Sequence, residues 1–343
     1  MPYPHAHAAR RDLHAEVAGK IIAALQQAQA SGEAFVRPWH VNSGRACNLV
    51  TGKPYRGVNT LITWAAATEH GYTDPTWASF QQWRAHGCPV RRGEKATTII
   101  FWQPRPGGGG GADSSSAAGP ERVGSGPADA ERPSRRFIAR AFAIFNAAQV
   151  EGYVPPPGPR LTDAARIARA EAFFDALPLT VTHGGDRACY RPVTDTIALP
   201  PFAAFRDAIA YYAVRAHESI HATGAPHRLD RDLTGRFGSE AYAFEELIAE
   251  LGAAFICADL ALTPEPRPDH AHYLASWVQV LQDDPRAIFT AAGHAQTAAD
   301  WLHAQQPDVG EAPSVAAASG AAGPHHRLAA FTQKAASAAA LSL

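Results

Sequence analysis

His217, Glu218 and His221 stand in the pattern H-E-x-x-H. On an α-helix, residues four apart lie one above the other, so two imidazoles at this spacing can reach one metal ion while the glutamate beside the first points next to it. The chemistry such a set supports is hydrolysis, with the ion acidifying water and polarising a carbonyl and Glu218 acting as general base. A five-residue pattern in a chain with 16 histidines can arise by coincidence, so the third ligand carries the argument.

Two candidates present themselves. The run HESIHATGAPH at 217–227 fits H-E-x-x-H-x-x-G-x-x-H, in which His227 would be the third ligand and Gly224 would turn the chain back toward the ion. That arrangement also needs a methionine turn beneath the metal, and Met1 is the only methionine in the chain, which weighs against His227. In SEAYAFEELIAELGAAF at 239–255, Ser239 can cap a helix along which Tyr242, Glu246 and Glu250 recur every four residues. Glu246 then completes a His2Glu set and Glu250 accepts from a ligand imidazole, because carboxylates stacked on a mostly apolar helix need a cation or donors to compensate them. Glu245, turned about 100° away, reads as a solvated or structural carboxylate. Tyr242 reads either as a core residue or as a hydroxyl that stabilises an oxyanion. Zn2+ suits His2Glu best, with Mn2+ or another divalent ion also compatible.

The elements that must position these residues follow from periodicity. Ile209 to Thr223 reads as a buried helix that Gly224 ends. Asp195 to Leu199 is strand-like, and is either an edge strand for pairing with extended substrate or an ordinary core strand. Upstream, residues 13–31 carry apolar positions at helical spacing, Val58–Glu69 and Trp77–His86 read as helices, and Thr97–Trp102 and Phe137–Phe145 read as strands that could pair as a hairpin. The Gly/Ser/Pro-rich run between them, 104–136, offers almost nothing to bury and reads as a disordered insertion. VPPPGPR at 154–160 is a stiff linker. The expected fold class is α+β: a small mixed domain over 10–153, a mostly helical zincin-like domain over 161–304, and a weakly structured Ala-rich tail over 305–343.

Composition narrows the partners. Hydrophobic residues make up 46% and charged residues 18% of the 343, with no apolar stretch long enough to span a membrane and no secretory signal, so a soluble cytoplasmic protein is expected. The four cysteines are widely spaced and form no C-x-x-C pair, which reads as four reduced thiols. Residues 1–153 hold 17 basic against 11 acidic side chains, whereas 154–343 hold 14 against 21, so the first half suits a polyanion. It also interleaves basic residues with aromatics, as a single-strand binder needs. Most of its tryptophans could equally be core anchors. The residues expected to touch nucleic acid are Trp39, Tyr55, Arg56, Asn59, Arg91, Arg92 and Lys95.

Several ordered segments resemble the ArdC-type antirestriction proteins of conjugative plasmids: PWH at 38–40, TGKPYRGVN at 51–59, the W-x-x-F-x-Q run at 77–82, VRRGEK at 90–95, FNAAQVEG at 145–152, HESIHATG at 217–224, RLDRDLTGRFGSEAYAFEELIAELGAAF at 228–255 and YLASW at 273–277. The resemblance implies a first domain that binds single-stranded DNA, a metal-dependent peptidase-like second domain, and protection of incoming plasmid DNA from host restriction. A host restriction enzyme or another protein would be the substrate. The insertion at 104–136 and His227 depart from the pattern. The competing reading is a non-proteolytic DNA-binding protein whose metal is structural or that blocks restriction enzymes sterically; a primase accessory is a third.

Overall fold

The computed structural model describes residues 12–30, 44–104, 137–156, 161–235, 239–262 and 271–307. Residues Met1–Gln306 form one compact unit; the second, Pro307–Leu343, falls outside the described residues except for Pro307. The expected insertion from 105 onward, the linker residues 157–160, the tail from 308 and Trp39 also lie outside them.

Helix α1 (Leu13–Ala30) buries Val17, Ala18 and Ile21 on one stripe and packs on α7 (Ala271–Asp283). After it come β1 (Cys47–Asn48), α2 (Val58–His70), β2 (Thr76–Ala78), α3 (Phe80–Ala85), β3 (Thr97–Pro104) and β4 (Phe137–Asn146). The strands form one sheet in the order β1-β2-β4-β3, with β3 and β4 an antiparallel hairpin in which Phe101 faces Arg140 and Ile99 faces Phe142. The expected helix over Trp77–His86 is divided. Trp77 is strand, and the helix starts only at Phe80, because Ser79 and Gln82 form a reciprocal capping box.

The second half holds α4 (Asp163–Asp175), β5 (Thr180–His183), β6 (Cys189–Arg191), β7 (Thr196–Leu199), α5 (Ala208–Thr223), α6 (Glu240–Asp259), α7 and α8 (Ala287–Ala304). Its sheet has the order β5-β7-β6, with β5 parallel and β6 antiparallel to β7. The segment around 195–199 is therefore a central strand with Ile197, Ala198 and Leu199 buried, and the edge-strand reading of it is corrected. The edge nearest the H-E-x-x-H helix is β6.

One apolar core runs through both halves, from Val17, Trp64 and Trp77 to Phe255, Trp277 and Leu302. Polar contacts join the halves as well. Arg45 Nε lies 3.0 Å from Asp259 Oδ1, and its Nη1 donates to Gln296 Oε1 at 3.0 Å. Gln296 Oε1 also accepts from the Gly57 N–H at 3.2 Å. The described part of the first half thus rests directly on α6 and α8.

Candidate metal centre

Two helices build the site. Asp207 caps α5, its carboxylate accepting from the Ala210 N–H at 2.7 Å, and Ser239 caps α6, its hydroxyl accepting from the Tyr242 N–H. The helices cross closely because position 252 is glycine. A Cβ there would fall 2.7 Å from Ile220 Cδ1 and 2.8 Å from Ile220 Cγ1. This contact brings the middle of α6 against the two histidines of α5.

His217 Nε2 and His221 Nε2 stand 3.2 Å apart, and each lies 3.5 Å from one carboxylate oxygen of Glu246. Carboxylates also face the far nitrogens, His221 Nδ1 being in hydrogen-bond contact with Glu245 Oε1 at 3.1 Å and His217 Nδ1 lying 3.4 Å from Glu250 Oε1. Two imidazoles that donate from Nδ1 to carboxylates would present their Nε2 lone pairs to the same point, an arrangement suited to a shared cation. The charge count agrees. Glu218, Glu245, Glu246 and Glu250 are all buried here, and one guanidinium, that of Arg231, pairs with Glu245. Four buried carboxylates clustered around two imidazoles are a set that a divalent ion would help to balance. Among the described residues, His217, His221 and Glu246 are the one group whose ligand atoms converge, all within 4.8 Å of one another.

The titration behaviour reflects the same crowding. Burial lowers the His217 imidazole to about 4, the hydrogen bond to Glu246 opposing it. Burial acts the same way on His221, but hydrogen bonds to Glu245 and Glu246 and their charges outweigh it and push this group up to about 10. Burial would raise Glu246, yet both imidazoles hold it well below the usual carboxylate range.

Glu218 is fixed from the sheet side. Its Oε2 accepts the Tyr190 N–H of β6 at 2.8 Å. Tyr190 pairs with Ile197 in the ladder, and its N–H reaches out from the strand's outer edge. The Tyr190 hydroxyl donates to Asp195 Oδ1 at 2.8 Å, and Arg228 grips both Asp195 oxygens at 2.7 Å, so the carboxyl is held below its ordinary range chiefly by that guanidinium. His227 points into this cluster, 3.3 Å from Asp195 Oδ2 and 61% exposed, and is not among the converging ligand atoms. Tyr242 lies half-buried in the first turn of α6, one turn before Glu246.

Two sequence readings of this site gain detail. Of the two readings of Glu245, solvated or structural, the structural one holds. It is buried and faces His221, a role hidden in the sequence because its partner Arg231 lies in the loop, fourteen residues away. Gly224 ends α5 as expected, with right-handed backbone at φ −74°; its Cβ would lie 2.9 Å from Leu233 Cδ2 and 3.1 Å from Arg231 Nη2. The glycine is there for the close approach of these side chains.

The residues expected to bind nucleic acid are scattered. Tyr55 is 7% exposed, its hydroxyl accepting from Asn48, so its ring is core and presents no face to a base. Asn59 is structural, its side chain bonding both the N–H and the carbonyl of Ile100 on the outer edge of β3. Arg56 pairs with Asp300 of α8. Arg91 bonds Glu94 and the Ala148 and Val150 carbonyls, whereas Arg92 and Lys95 are exposed. Trp64, Trp77 and Trp83 are buried. Phe101, Phe142 and Arg140, none of them among the residues named from composition, lie exposed on one face of the β3–β4 hairpin, the two rings 5.2 Å apart edge to face. Alternation along the two strands was the signal that could have found them.

Comparison with known proteins places both halves. Residues 11–145 match the N-terminal domain of anti-restriction factor ArdC, and residues 168–294 match a zincin-like metallopeptidase family. An uncharacterised Sinorhizobium fredii protein, y4eC, is 48% identical over 301 residues, 87% of this chain and 93% of that one. The Escherichia coli DNA primase TraC is 38% identical over 303 residues, 85% of this chain but 27% of the primase. Crystal structures of the antirestriction ArdC protein from plasmid R388 are 32% identical: the metal-free form covers 86% of this chain and 98% of that one with a TM-score of 0.66, and the Mn(II)-bound form covers 88% and 100% with a TM-score of 0.68.

Proposed function

The chain belongs to the ArdC antirestriction family, and from that premise we propose that it protects incoming plasmid DNA from restriction as a cytoplasmic, single-stranded-DNA-binding metallopeptidase. The observation that carries the reading is the convergence of His217, His221 and Glu246, with Glu218 held beside them by the Tyr190 N–H.

The three converging side chains would hold a divalent ion. Zn2+ is the ion we propose for this chain, and the R388 protein takes Mn(II). Such an ion, when bound, supplies Lewis acidity toward a carbonyl and toward water. The chain's own residues do the rest. The Tyr190 N–H fixes one oxygen of Glu218, orienting the carboxylate to take a proton from water and pass it to the leaving amine. Tyr242 is proposed to donate to the oxyanion. The outer edge of β6, which supplies the Tyr190 N–H, is where an extended peptide would pair.

For nucleic acid, Arg92, Lys95 and Arg140 supply exposed charge and Phe101 and Phe142 supply exposed rings, the two components of sequence-tolerant binding to single strands. The peptide substrate is proposed to be a host restriction enzyme or another protein.

Glu218→Ala tests the hydrolytic part. We expect the variant to keep its fold and its metal and to lose protection of a plasmid entering a restricting host. Full protection by this variant would contradict hydrolysis and leave a steric mode of action.

A further inference from the structure

The ligand His221 is gripped from behind more firmly than the H-E-x-x-H pattern requires. Glu245 and Glu246 are neighbours on α6, about 100° apart around the helix axis. One turn therefore offers two carboxylates to the same imidazole, Glu246 at Nε2 and Glu245 at Nδ1, at 3.5 and 3.1 Å. Both oxygens of Glu245 are in turn taken by one guanidinium, with Arg231 Nε donating to Oε2 at 3.0 Å and Nη2 to Oε1 at 2.8 Å. A forked contact of this kind fixes the plane of the carboxylate as well as its position.

Arg231 is anchored to the helix that carries His221. Its Nη2 donates to the Ile220 carbonyl at 2.7 Å, its Nη1 to Thr223 Oγ1 at 2.8 Å, and its backbone N–H to the Gly224 carbonyl at 3.0 Å. The closed circuit runs from the end of α5 through Arg231 to Glu245 on α6 and back to the ring of His221. Gly224 makes room for it, since a side chain there would press on the guanidinium. The side chains of Arg231 and Glu245 are 5% and 10% exposed, so little solvent intervenes.

We propose that Arg231 and Glu245 are a positioning pair that aims His221 at the divalent ion and sets its strength as a donor; the proposal rests on the reading of His217, His221 and Glu246 as metal ligands. The guanidinium offsets the charge of Glu245 and fixes its plane. A carboxylate acceptor held at Nδ1 orients the ring and leaves Nε2 as the ligating atom.

The test uses the full-length chain with Mn2+ affinity measured by titration and the visible spectrum of the Co2+-loaded protein. We expect Glu245→Gln and Arg231→Met to weaken Mn2+ binding about 10- to 100-fold at unchanged stoichiometry, and to shift the Co2+ bands. Arg231→Lys, which keeps the charge but loses the fork, should fall between them and wild type. Arg215→Met is the control for mere structural damage. Arg215 sits on the same helix, bonded to Asp175 and the Phe174 carbonyl, and its loss should lower Tm while leaving Mn2+ affinity within about twofold. Wild-type affinity and spectrum in Glu245→Gln and Arg231→Met would overturn the proposal, as would an equal loss in Arg215→Met. If wild type itself takes up neither ion, the metal reading fails and the pair has nothing to position.

Discussion

The stretch 208–259 and the stretch 44–104 both carry polar and charged residues at suggestive places, and the structure uses them in opposite ways. In the first, five ionisable side chains chosen from spacing alone, His217, Glu218, His221, Glu246 and Glu250, meet in one buried cluster. In the second, Tyr55 and Asn59 hold the fold together, and Arg56 reaches across to Asp300. The difference is one of rigidity over sequence distance. A helix fixes where residue i+4 lies relative to residue i, so a chemical constellation along one helix can be read directly. A binding surface depends on which face of each element the tertiary packing leaves open, which composition does not specify.

The same contrast explains what else was legible. The two helices of the site, the cap at Ser239 and the β3–β4 hairpin follow from periodicity and capping chemistry, whereas the cap at Asp207 emerges only in the structure. The central place of β7, the burial of Glu245 against Arg231 and the room Gly224 makes for that guanidinium depend on contacts between elements. In the sequence Glu245 reads as the weaker candidate because it is turned about 100° from the stripe of Glu246. A side chain 100° away on a helix enclosed on both sides is still inside.

Five variants sharpen the comparison. The largest effect is expected at Arg45, which ties the first half to α6 and is 5% exposed beside Asp259. Arg45→Met should cost about 3 kcal/mol and lower a single unfolding transition in calorimetry. Two separate transitions would mean that the halves unfold independently. Gly252→Ala follows, with about 1–3 kcal/mol lost as the new methyl meets Ile220, read as a lower Tm together with weaker metal binding. Unchanged metal affinity would show that the close crossing does not set the site.

For the nucleic-acid face, Phe101→Ala with Phe142→Ala should weaken binding of single strands by about 1–3 kcal/mol per stacked base. Arg92→Ala with Lys95→Ala should instead flatten the salt dependence, measured as the slope of affinity against ionic strength. If the aromatic pair has no effect while the charge pair does, stacking takes place elsewhere. The smallest effect belongs to Tyr55→Phe, which removes only a buried hydroxyl and its bond to Asn48. It should cost about 1 kcal/mol of stability and leave DNA affinity where it was; a clear loss of affinity would return Tyr55 to the binding surface.

The centre itself is tested most directly by metal analysis of the purified full-length chain after exhaustive dialysis, wild type beside Glu246→Ala and His227→Ala. The geometry predicts about one divalent ion per chain in wild type and in His227→Ala and almost none in Glu246→Ala. An ion retained in Glu246→Ala and lost in His227→Ala would contradict the assignment.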